Sequence, residues 1–391
     1  MGGQLCLDGM PQDDLFRKIW SARALVDESL HELVVQTHRR YICAGANAIT
    51  TSNYGVQPSY YAKAFPDDWE HRMLHDTALA AKLAVRARAL ECRRIDETGD
   101  EQVTKGDIRS VYCTLHEGSA DIPLVVSGRS ADGGDVRVLG SLPPLCESHR
   151  TDLFEAALKE RGEDFFVSTY RKLAASLLEG GVDAFILETM NTWDEARLAI
   201  HGCRDFGIPI IVCMEGGLRD QMHVPHPETA PEIAYHVIEE KKKGAPIEAF
   251  GFNCAPPEFI TSCLIAIENE PGLSKELRTY GVRIAAYANC NDREHVHSRG
   301  FNVADLDASS TKVRKELTGT DGQYHGYAIF VREFIEHGAT IVGGCCGSNP
   351  ESIHMIVQSY AAHHQPCASI GMESESRLAS SVNASTIPLG V

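Results

Sequence analysis

The sequence predicts an α/β fold, a (β/α)8 TIM barrel with loop insertions. Three observations carry that prediction: eight short apolar runs of strand length, amphipathic stretches between many of them, and polar or glycine residues directly after them. Alternating strand and helix argues for parallel strands joined by crossovers. In a barrel the C-terminal ends of all strands meet at one rim, where active sites lie.

The expected strands are Gln4–Leu7, Ala48–Thr50, Val136–Gly140, Ala184–Leu187, Ile210–Met214, Ala249–Phe252, Ile284–Tyr287 and Thr340–Val342. Helical spacing is read over Asp13–Ala44, Trp69–Arg94, Asp164–Glu179, Thr192–Phe206, Ala230–Lys243 and Tyr327–His337. The residues following the strands are, in order, Asp8-Gly9, Thr51 to Tyr54, Ser141, Glu188-Thr189, Glu215 to Gly217, Asn253-Cys254, Asn289 with Asn291, and Gly344 to Gly347. Two polar stretches exceed a minimal barrel: an insertion at about 97–135 and an excursion over Cys290–Gly326. Residues 1–365 are read as the barrel domain and 366–391 as a flexible C-terminal tail without periodicity.

Composition narrows the function. The chain of 391 residues is 43% hydrophobic and 23% charged, as in soluble globular proteins. No apolar stretch approaches the roughly 20 residues of a membrane span. The formal charge of −17 argues against nucleic acid and anionic membranes as partners. The 13 cysteines are odd in number and not spaced as a disulfide framework, so free thiols and a cytoplasmic location are expected.

Cys254 ends Gly251-Phe252-Asn253-Cys254, and Cys345 and Cys346 sit in Gly343-Gly344-Cys345-Cys346-Gly347. Three thiols delivered from two strand ends suit a zinc ion with an open fourth position, the mark of a catalytic rather than a structural site. The glycines permit the turn that lets adjacent cysteines share one metal. A phosphate cradle at Gly343-Gly344 and a cluster of inert core cysteines are the competing readings. A thiol substrate at the fourth position would ionise near neutral pH and become the nucleophile. Asp8 and Glu188 are the candidate partners for a substrate amino group. His38, alone on a helix, reads as structural. His223, His226, His295 and His297 sit in polar loops and are not taken as ligands.

On these motifs the chain resembles the homocysteine S-methyltransferase family over roughly residues 5–360. Supporting pieces are Trp20-Ser21-Ala22, His38 to Tyr41 with Ala44-Gly45-Ala46, Ile49 to Tyr54, Glu188-Thr189 with Glu195-Ala196, and Gly338-Ala339. The resemblance implies a barrel that binds Zn2+ through Cys254, Cys345 and Cys346, with homocysteine sulfur in the fourth position. It implies that Asp8 and Glu188 hold the substrate amino group, with Gly9, Thr51 and Asn253 in the adjoining pocket. Tyr54 falls close to a tyrosine that fills the zinc position without substrate in one branch of the family. The first loop departs from the family's longer glycine-rich one, since Met10-Pro11 follows Asp8-Gly9.

The expected reaction is methyl transfer from S-methylmethionine or S-adenosylmethionine to homocysteine, giving methionine. Betaine or another onium donor, and selenocysteine as acceptor, are the alternatives. Methyltetrahydrofolate is not the expected donor, since a chain of 391 residues leaves no room for folate and cobalamin modules. Two readings of other classes are a phosphate-binding lyase, for which no strand-end lysine is evident, and a non-catalytic thiol-binding relative.

Overall fold

A computed structural model of the chain describes residues 1–98, 136–147, 150–215, 230–291, 313–318 and 325–363. Most of the expected insertion, the loop after Glu215 with its two histidines, the loop with His295 and His297, and the C-terminal tail lie outside the described residues.

Seven strands form one sheet: β1 (Ala48–Thr50), β2 (Arg137–Leu142), β3 (Ala184–Met190), β4 (Ile210–Glu215), β5 (Ile247–Asn253), β6 (Arg283–Ala288) and β7 (Ile341–Gly344). The strands pair in sequence order and every pair is parallel. Parallel neighbours require long crossovers, and helices supply them. The sheet curls into a half-barrel. Among the described residues β1 and β7 are not hydrogen-bonded to one another.

The helices are α1 (Gly2–Leu7), α2 (Phe16–Ile19), α3 (Arg23–Val26), α4 (His31–Cys43), α5 (Pro58–Ala64), α6 (Trp69–Thr98), α7 (Thr151–Glu179), α8 (Trp193–Cys203), α9 (Ala230–Lys242), α10 (Pro257–Asn269), α11 (Leu273–Thr279), α12 (His325–Glu336) and α13 (Pro350–His363). Their starts follow local chemistry. Thr192 accepts the Glu195 N–H ahead of α8, with Glu195 at the third helical position. Proline opens α5 and α10, where its missing N–H is not needed.

Strand alternation sorts the side chains. Phe185, Leu187, Val212 and Phe250 face outward into the large core beneath the helices. Leu139, Ala184, Ile186, Ile211, Cys213, Ala249 and Ala285 form a smaller cluster inside the curl. A period of two then places Ser141, Glu188, Asn253 and Tyr287 on the inner face, above that cluster.

The first expected strand is corrected. Gln4–Leu7 belongs to α1, in which Leu5 N–H bonds Met1 O and Asp8 N–H bonds Gln4 O. The Gln4 side chain also donates to Asp8 one turn on, at 2.9 Å. A four-residue apolar run does not distinguish strand from helix by period, and here the local bonds decide. The long helix expected over Asp13–Ala44 is likewise divided into α2, α3 and α4 with two 3-10 turns. Trp20, at φ 49°, breaks it. The remaining strands stand where expected, several extended by a few residues at either end.

Candidate active site

Three thiols meet at the C-terminal ends of β5 and β7. The sulfurs of Cys254, Cys345 and Cys346 lie within 4.8 Å of one another, and Cys254 Sγ is 3.6 Å from Cys346 Sγ. The local backbone is built for this. Cys254 adopts φ 55°, in the left-handed region, directly after β5. Its N–H bonds Tyr287 O at 3.2 Å, and Asn289 Nδ2 donates to its sulfur at 3.7 Å.

The cysteine pair is pinned by its neighbours. Cys345 N–H bonds Ala288 O at 2.9 Å and Cys290 N–H bonds Cys346 O at 2.7 Å. The Tyr327 hydroxyl accepts the Ala288 N–H at 3.0 Å and donates to Gly343 O at 2.6 Å, so α12 clamps the ends of β6 and β7. Ser348 Oγ donates to Cys345 O at 2.7 Å. A Cβ on Gly344 would collide with the Ser348 side chain, which explains the glycine. Asn349 and Ser352 then cap α13 reciprocally, at 2.8 and 3.0 Å.

The thiols share hydrogen bonds, and this divides their acidity. Bonds from Cys254 and Cys345 hold Cys346 well below the usual thiol range. Cys254 is pushed well up by the same shared bonds and by burial.

A carboxylate faces the same space. Glu188 lies on the inner face of β3, and Ser141 Oγ donates to it. Burial pushes its carboxyl up to about 7, against the opposing pull of the Ser141 bond. Ser141 is held in turn: its N–H bonds Thr51 Oγ1 at 2.9 Å, Thr51 Oγ1 donates to Asn53 Oδ1 at 2.6 Å, and Asn53 Nδ2 donates to Ser141 O at 2.9 Å. Thr189, next to Glu188, adopts φ 60° where the β3–β4 register shifts. Such irregularities re-aim side chains beside active sites. Asn253 braces that kink, accepting the Thr189 N–H at 2.9 Å and donating to Thr189 Oγ1 at 2.8 Å.

A cavity of about 390 Å³ joins these groups. It runs inside the curl between β1 and β7, and its wall includes Cys254, Cys345, Cys346, Glu188, Thr51 and Tyr54. That volume suits a small-molecule site. Trp20 and Tyr54 meet edge to face on its wall, with ring centroids 6.0 Å apart.

Other expected site residues stand elsewhere. Asp8 caps the end of α1, where it is ion-paired with Arg40 and accepts from Thr37 Oγ1 at 2.9 Å. Neither Asp8 nor Gly9 is on the cavity wall. Asn253 is fully buried and does not line the cavity, and both ends of its amide are bonded to Thr189. The supporting roles of Tyr327, Asn289 and Ser141 were not legible from motif spacing, because partners far apart in the chain define them. His38 was read as structural, yet it lines the cavity.

The chain is similar to several known proteins. Homocysteine S-methyltransferase 3 of Zea mays is 26% identical over 363 residues, covering 91% of this chain and 89% of the relative. Homocysteine S-methyltransferase YbgG of Bacillus subtilis is 23% identical, covering 90% and 93%. The selenocysteine methyltransferase of Astragalus bisulcatus is 23% identical, covering 90% and 89%. The metallated form of the homocysteine methyltransferase MmuM from Escherichia coli superposes with a TM-score of 0.56 at 19% identity, covering 92% of this chain and 93% of that one, a likeness of fold. The profile of homocysteine S-methyltransferases matches residues 1–360, and the chain belongs to that family.

Proposed function

We propose that this protein transfers a methyl group from a sulfonium donor, S-methylmethionine or S-adenosylmethionine, to the thiol of homocysteine, forming methionine. The observation that carries the reading is the convergence of Cys254, Cys345 and Cys346 on one cavity wall with Glu188.

The donor set fits zinc, which favours sulfur ligands and takes three protein ligands in catalytic sites. Bound by the three cysteines, zinc would supply a Lewis-acidic position that lowers the pKa of an incoming thiol. The turn at Cys254 and the Tyr327 clamp would keep the three cysteines together for the metal. Asn289 donates toward the Cys254 sulfur and steadies its charge.

The remaining steps rest on side chains of the cavity. Glu188 accepts hydrogen bonds from the substrate ammonium, and that charge favours the ionised carboxylate. The apolar inner wall excludes water from the nucleophile. Trp20 and Tyr54 offer ring faces to a sulfonium cation. Transfer is a displacement: a sulfur–carbon bond forms to the acceptor as the donor's sulfur–carbon bond breaks. The bonding electrons stay on the donor sulfur, which leaves as a neutral thioether. Alignment of the three atoms is the main demand, and the cavity meets it by fixing both ends of the acceptor.

Selenocysteine is the second acceptor to test, since a selenolate meets the same needs and one relative is named for that substrate. Tyr54, on the same wall, is the group proposed to approach the metal position when the cavity lacks substrate.

The test is methionine formation by zinc-loaded protein from homocysteine with S-methylmethionine, S-adenosylmethionine and betaine in parallel. Product with one donor identifies the leaving group. No product with any donor, at one zinc per chain, would refute the reading.

A further inference from the structure

His38 sits in the middle of α4 and is fully buried. Neither ring nitrogen has a hydrogen-bond partner within the protein. Its neighbours on the helix are satisfied: Thr37 bonds Asp8 and Leu33 O, Arg39 bonds Glu91, and Tyr41 Oη donates to Ser348 O at 3.3 Å. A fully buried imidazole with two idle nitrogens is unusual, because buried polar groups are nearly always paired. The ring lines the cavity that holds the three cysteines and Glu188.

The needs of an amino-acid thiol match this vacancy. Its sulfur belongs at the cysteines and its ammonium at Glu188, which leaves an α-carboxylate in need of donors. Among the described residues of the cavity wall there is no lysine or arginine, and the cationic group is the Met1 ammonium. Five side chains of that wall carry polar atoms without a hydrogen-bond partner: His38, Ser52, Tyr287, Asn291 and Thr340. Thr340 stands before β7, at the end opposite the cysteines, Asn291 Oδ1 can only accept, and Tyr287 faces Cys213 and Glu188, which leaves His38 and Ser52 as donors for a carboxylate. Burial keeps the imidazole neutral, with its pKa pushed down to about 3. A neutral ring still carries one N–H donor.

We propose that His38 donates a ring N–H to the α-carboxylate of the amino-acid thiol, with the Ser52 hydroxyl as the second donor. The proposal rests on the reading of the cavity as an amino-acid thiol site. It makes His38 a specificity residue, one that rewards a carboxylate over an otherwise identical thiol.

The experiment is calorimetric titration of zinc-loaded wild type, His38→Leu and His38→Gln with three thiols. L-Homocysteine carries both polar ends, 3-mercaptopropylamine lacks the carboxylate and 4-mercaptobutyrate lacks the amine. His38→Leu is expected to weaken homocysteine and 4-mercaptobutyrate by about 10- to 100-fold while leaving 3-mercaptopropylamine unchanged. His38→Gln, which keeps an N–H donor, is expected to recover part of the loss. An equal loss for all three thiols, or no loss for any, would overturn the role of His38. Failure of wild type to bind homocysteine at all would overturn the amino-acid reading itself. Where the variants do not fold, 15N-histidine-labelled wild type decides. The His38 ring N–H signal shifts with homocysteine and not with 3-mercaptopropylamine, or the proposal fails.

Discussion

Asn253 offers the sharpest test of how this site is held together. It is fully buried, and both ends of its amide are bonded to Thr189, at 2.9 and 2.8 Å. Those bonds hold Thr189 in the left-handed region, at φ 60°, and Cys254, next in the chain after Asn253, is also left-handed at φ 55°. Each such conformation costs about 1–3 kcal/mol and persists only where the surroundings enforce it. Asn253→Ala strands the buried Thr189 N–H, at about 1–3 kcal/mol, and forfeits the hydroxyl bond, at about 0.5–1.5 kcal/mol. The expected destabilisation is roughly 2–4 kcal/mol. With the brace gone the turn at Cys254 relaxes, and the sulfur drifts from Cys345 and Cys346. Urea unfolding of the metal-free protein measures the first effect, and zinc competition with a chromophoric chelator measures the second. Zinc affinity is expected to fall along with stability. An Asn253→Ala protein within about 0.5 kcal/mol of wild type, with full zinc affinity and weakened homocysteine binding, would refute the brace and make Asn253 a ligand contact.

Other outcomes follow from the same geometry. Cys254→Ala leaves two thiols, and zinc content by atomic absorption is expected to fall from one per chain to a small fraction. Glu188→Gln keeps the bond from Ser141 but removes the charge, so the homocysteine Kd measured by calorimetry should rise about 10- to 100-fold with zinc content unchanged. Glu195 is buried, and burial pushes its carboxyl from 4.5 up to about 7 against the bonds from Asn191. The folded state therefore holds this proton while the unfolded chain releases it, and stability falls as pH rises from about 4.5 to 7. The loss reaches about 3 kcal/mol at most. Glu195→Gln lacks it, so the Tm of the variant relative to wild type should climb between pH 5 and 7.5, and a flat difference would contradict the assignment.

Much of this molecule was legible along the chain. The runs over β1 to β7 and the glycines around Cys254 and Cys345 are local signals, because strand alternation and turn geometry are properties of neighbouring residues. The same alternation carries Glu188 to the inner face once Ile186 is placed there. The cysteine motifs marked the three thiols that meet at the strand ends for the same reason.

Packing decided what those signals left open. Gln4–Leu7 has the composition of a strand, and the bonds from Leu5 N–H to Met1 O and from Asp8 N–H to Gln4 O make it a helix. That choice turned Asp8 toward Arg40 and Thr37 and away from the cavity. Asn253 is expected beside the substrate, and Thr189, 64 residues away, bonds both ends of its amide. That both ring nitrogens of His38 lack a partner is likewise not readable from the order of amino acids. Motifs record which groups are supplied, whereas pairing across distant strands settles which of them remain free to meet a ligand.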